Sequence, residues 1–249
     1  GALKTSELII RSLTREARLE DMAEGLSALL RALVGYDVDV ADLSRLDSDD
    51  LIERGTRMVC MYQWLYLPAR VRHFETVAQN RNWYRLCTVV AAGLLTLDGF
   101  SRIHGHPAYA TAVDLVGDDT LRLNCFQILE YVRAVRGICG MWPGARRLLS
   151  FGIKTEEASG IPLSAADQLL FDLLHVSLPD GTRDRGLHDV WDRFLAAADA
   201  AVNCFDTETL LTPELLASAA DVYPGLDRWP LRTFAFLPDF LYPGSVSTP

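Results

Sequence analysis

Through nearly all of residues 5–222, apolar side chains return every three and four positions, behind residues that cap helices. A chain with that pattern is committed to helices laid against one another. Ser6 to Arg18 and Leu19 to Leu33 carry the spacing, and Gly35 stops the second run. Tyr36 to Asp47 is an acidic loop. Ser48 then caps a helix from Asp49 to Leu67, with Asp49, Asp50 and Glu53 in a first turn where acids complement the dipole. Pro68 ends it, and the helical pattern resumes from Ala69 to about Ile103. A turn at His104 to Pro107 and a short helix from Ala108 to Val116 follow. Asp118 or Asp119 caps a long helix from Thr120 to Ile138, and Pro143 to Phe151 adds one or two turns.

Lys154 to Pro162, polar and bearing Gly160 and Pro162, reads as a linker. Beyond it, Ser164 to Asp167 is a capping signal for a helix to Val176, although its third position is Asp rather than Glu. Arg183 to Phe205 is amphipathic, and Thr212-Pro213-Glu214 opens a helix to Val222. Prolines at 224, 230, 238 and 243 forbid a long helix after that. The prediction is an all-α, multi-helix bundle of roughly eight to eleven helices. Residues 1–222 form the helical domain, with a soft boundary at 152–163, and 223–249 an irregular tail rich in Pro and aromatics.

Charge divides the chain differently. Residues 54–147 hold twelve Arg and six acids, about +6; residues 1–53 hold six basic and twelve acidic side chains, about −6. Residues 148–249 hold six basic and fifteen acidic, about −9, and the three sum to the net −9. Surfaces so different are expected to meet different things. Of the 24 basic residues only Lys4 and Lys154 are lysines, and arginine suits planar pairing with carboxylate or phosphate.

The five cysteines are odd in number and widely spaced, with no CxxC, so they read as buried free thiols in a reducing compartment. No uncharged run of the middle exceeds twelve residues, the length of the apolar run Leu86 to Leu97, against about 20 for a bilayer span. An apolar content of 49% is high for a free soluble monomer and fits equally a helical protein rich in Ala and Leu and a chain that keeps apolar surface for a partner or a membrane.

No set of titratable residues has both the identity and the spacing of a catalytic site, and glycine-rich nucleotide motifs and a GxSxG elbow are absent. No cofactor is expected. His104 and His106, with Asp98 nearby, are the runner-up metal ligands, but a third ligand is not evident and a turn explains them better. Asp172 and His175 share a helical face and read as an exposed ion pair; Asp184, His188 and Asp192 read as a solvated ridge. The densest basic and aromatic cluster is Arg70, Arg72, Arg81, Trp83 and Arg85, suited to acidic protein or anionic phospholipid headgroups, or equally to packing against the acidic terminal thirds of the chain itself. The overall −9 makes nucleic acid an unlikely partner. Trp229, Phe234, Phe236 and Phe240 mark the tail as a docking segment, since it cannot form a core of its own and must lie on a groove, either of its own body or of a neighbour.

These readings lead to a non-catalytic accessory subunit of a larger, membrane-associated organellar assembly, binding other subunits through the basic middle and the aromatic tail. If Gly1 follows a removed targeting segment, rather than a tag, the setting is mitochondrial and peripheral to the inner membrane; otherwise it is cytoplasmic. The alternatives are an all-α metal-dependent enzyme and a peripheral protein binding anionic lipid or nucleic acid.

Overall fold

A computed structural model describes Ile10 and residues 15–46, 58–61, 63–96, 116–160, 162–178, 189–201 and 210–228. The protein is mostly helical, with seven helices among the described residues: α1 (Ala23–Val34), α2 (Val77–Thr96), α3 (Thr120–Met141), α4 (Ala145–Ser159), α5 (Ala165–Ser177), α6 (Asp189–Ala201) and α7 (Pro213–Val222). Five short strands lie between residues 17 and 71: β1 (Ala17–Arg18), β2 (Asp39–Asp42), β3 (Val59–Met61), β4 (Trp64–Leu67) and β5 (Arg70–Val71). An all-α class is therefore too strict.

The helix ends signalled by Gly35, Asp119, Ser164 and Thr212 are in place, while Ser48, the other expected cap, lies outside the described residues. Asp119 accepts from the Arg122 N–H at 3.0 Å, Ser164 from the Asp167 N–H at 3.2 Å and Thr212 from the Leu215 N–H at 3.3 Å. Ser164 also donates to Asp167 Oδ2 at 2.6 Å, so aspartate serves in that capping pair where glutamate is usual. Gly35, at φ 80°, closes α1 by donating its N–H to Arg31 O at 2.9 Å.

Two helices form the centre. Every residue of α2 from Leu86 to Leu95 is buried, and α2 packs on α1, α3 and α4. That stretch belongs to the uncharged run and lies in a core helix, and no described helix is long and apolar enough to cross a membrane. On its other side α3 meets α5, α6 and α7. The two central helices approach closely at Gly93, where an added Cβ would lie 2.5 Å from Ala134 O. Inside α3, Arg133 reaches Glu130 through Nε and a second nitrogen at 2.9 and 2.8 Å, with both side chains almost wholly buried.

The N-terminal third departs most from expectation. Tyr36 to Asp47 contains β2, and the expected helix from Asp49 to Leu67 holds β3 and β4 in its described part. β4 pairs parallel with β2, Val40 facing Leu65, and antiparallel with β3, Cys60 facing Leu65. Leu65 and Leu67 turn inward while Trp64 and Tyr66 turn outward and stack, the period of two that a strand demands. The helix expected from Ala69 begins at Val77, after β5 and a loop. Farther on, the polar stretch expected to link two units is the end of α4, which stops at Gly160 with φ 63°. The four described cysteines are buried free thiols, and burial pushes Cys60 and Cys125 up to about 12 and Cys139 up to about 11.

Candidate anion-binding cleft

β1 and β5 make a two-stranded antiparallel ribbon in which Ala17 faces Val71 and Arg18 faces Arg70. Side chains alternate across it. Ala17 and Val71 point into the core at 2% and 1% exposure, and the alternate positions Glu16, Arg18, Arg70 and Arg72 share the other face. Arg18 Nε donates to Glu16 Oε1 at 3.0 Å, Arg72 donates to Oε2, and Arg70 Nε stands 3.8 Å from Oε1. Three guanidinium groups thus surround one carboxylate whose side chain is 3% exposed. Burial alone would raise the Glu16 carboxyl; the hydrogen bonds from Arg72 and Arg18 and the charges of Arg72 and Arg70 outweigh it and hold it below the ordinary value.

Asn80 fixes this ribbon to the helical body. Its Nδ2 donates to the carbonyls of Arg15, Phe74 and Thr76 at 2.7, 3.2 and 3.0 Å, and its Oδ1 accepts from the Phe74 N–H. Tyr84 adds a second clamp, donating to Pro68 O at 2.7 Å.

Beside the ribbon lies a half-open cleft of about 290 Å³. Arg18 and Arg70 line it with Arg45, from the short 3-10 turn Leu43–Arg45, and its floor is Leu19, Ala23, Val40, Ala41 and Ala69. Two acids border it, Glu20 and Asp42. Glu20 is paired with Arg18 at 3.3 Å, and Asp42 caps the 3-10 turn by accepting from the Ser44 N–H. Arg45 meets no carboxylate among the described residues.

The structure divides the cluster expected from sequence. Arg70 and Arg72 lie on the ribbon around Glu16, whereas Arg81 and Arg85 are exposed four positions apart on α2, where Arg85 donates to Asn82 Oδ1 at 2.9 Å. Trp83 leaves the cluster: it is 0% exposed, packed edge-on against Tyr84 and His73, so its ring offers no surface to a partner or a lipid. Arg18 and Arg45 went unmarked in the sequence, because only strand pairing brings residues 18 and 70 together. Trp229, Phe234, Phe236 and Phe240, and the runner-up metal ligands His104 and His106, lie outside the described residues.

Among the described residues, no three of His, Cys, Asp and Glu are grouped to hold a metal ion. Asp172 and His175 are not the exposed pair that their spacing implied. Asp172 is buried and accepts from Tyr223 Oη at 2.7 Å and Gln168 Nε2 at 2.9 Å, while Trp191 Nε1 donates to the Tyr223 oxygen at 2.6 Å. His175 instead faces Glu157 at 3.5 Å. Asp192 is exposed, as is Asp189, which pairs with Arg193 at 2.5 Å. No protein-family model matches the chain, and neither a curated protein nor a solved structure matches it significantly.

Proposed function

We propose that this chain is a non-catalytic accessory subunit that joins a larger assembly through exposed arginines of its basic middle, with the aromatic tail from Trp229 to Phe240 as a second contact. The observation that carries the reading is the pair Arg81 and Arg85. They stand one helical turn apart on α2, exposed, and neither meets a carboxylate among the described residues. Arginine is enriched at interfaces because its planar fork binds carboxylates in two places at once. Further support lies in how the buried polar groups are used: Asn80, Asp172, Tyr223, Glu130 and Arg133 hold the fold together.

The test separates the two arginine pairs. Arg81→Gln with Arg85→Gln should weaken co-purification with partner subunits and leave the melting temperature within about 2 °C, since exposed substitutions usually cost under about 0.5 kcal/mol. Arg70→Gln with Arg72→Gln should lower the melting temperature, because Glu16 loses two of its three cations. If the α2 pair destabilises the fold while assembly is untouched, the partner surface lies elsewhere.

A further inference from the structure

We infer that the cleft between the β1–β5 ribbon and the 3-10 turn is a binding site for a small organic anion, one carrying a carboxylate or phosphate on a short apolar stem. Arg18 and Arg70 are direct cross-strand partners, and like charges placed opposite one another destabilise a ribbon. Glu16 offsets this only in part: it hydrogen-bonds Arg18 at 3.0 Å but stands 3.8 Å from Arg70. Arg45 adds a third guanidinium to the same cleft, with no carboxylate of its own among the described residues. Two nitrogens of Arg18 are taken by Glu16 and Glu20, so the N–H forks of Arg70 and Arg45 are the ones left to meet the oxygens of a carboxylate or phosphate.

The opposite wall sets the rest of the ligand. Leu19, Ala23, Val40, Ala41 and Ala69 offer a floor of small apolar side chains, suited to a few methylene groups. Ala23 is also the first residue of α1, so the N-terminal end of that helix borders the cleft, although the Ala23 N–H already donates to Leu19 O at 2.7 Å and Glu24 stands in the first turn. A volume of about 290 Å³ lies at the lower end of ligand cavities, which favours a metabolite-sized anion over a membrane surface or a nucleic acid. This site is distinct from the Arg81–Arg85 surface, and the two readings can fail independently.

Isothermal titration of the full chain at low salt, with glutarate and inorganic phosphate as probes, tests the site. The expected result is saturable one-to-one binding by at least one probe, no binding of the neutral glutaric diamide, and affinity at least about tenfold weaker in Arg45→Gln, as loss of one charge-assisted bond implies. Arg45 makes no ion pair among the described residues, so that variant should fold as the wild type does, and Arg147→Gln, on α4, should bind normally. No binding of either anion, or equal affinity in Arg45→Gln, would overturn the inference. So would binding confined to a glutamate-rich peptide, which assigns the cleft to a partner's side chain, or to phosphatidylserine vesicles. Saturable anion binding by a wild-type chain that joins no assembly would sink the subunit proposal and leave the cleft standing.

Discussion

Glu16 is the residue on which most of the basic ribbon depends. Its carboxyl is held below the ordinary value near 4.5, so the folded protein binds a proton there less readily than the unfolded chain does. The stability it contributes is present above that ordinary value and is lost as pH falls through the lower folded value. Urea midpoints measured from neutral pH down into the acid range should therefore decline more steeply for wild type than for Glu16→Gln. Parallel declines would mean that the three arginines do not hold the charged carboxylate. The pairing was invisible to a reading by spacing: Glu16 and Arg72 are 56 positions apart, joined only because β1 and β5 run antiparallel. The one local hint was the alternation Arg70-Val71-Arg72 beside Glu16-Ala17-Arg18, polar and apolar in turn on both segments.

Elements were legible where their signals are local. The starts of α3, α5 and α7 follow from Asp119, Ser164 and Thr212, since a cap needs only the three residues after it. Strands β3 and β4 were not legible, because Trp64 and Tyr66 are aromatic on the outward face and hide the alternation with Leu65 and Leu67. The end of α4 was misread because its residues are polar, yet a helix that covers one side of a bundle needs apolar residues on that side alone. At the centre, α2 and α3 meet through Gly93, whose lack of a side chain lets the backbone of Ala134 come close. Gly93→Ala would force a methyl to 2.5 Å from a carbonyl oxygen, so the helices must separate. Overpacking of this kind costs about 1–3 kcal/mol, more than the gain in helix propensity from alanine. Chemical denaturation should show that loss, and an unchanged or raised midpoint would contradict the packing described.

At the scale of the molecule, the charge partition has a structural counterpart in its described parts. Asp192 of α6 is solvated, as the sequence implied, while Asp184 and His188 lie outside the described residues. In the basic middle Arg70 and Arg72 bind Glu16, Arg133 pairs with buried Glu130, Arg136 pairs with Asp199, and Arg81 and Arg85 are exposed on α2. The claim that binds these observations is that the exposed arginines exist to meet another chain. Its most direct measurement is the native mass of the epitope-tagged full-length chain, released gently from the cells that make it and run on a native gel. The account predicts a complex well above the 27.7 kDa of the chain, which falls toward monomer mass in Arg81→Gln with Arg85→Gln. A wild-type chain that runs as a monomer at its natural abundance would contradict it.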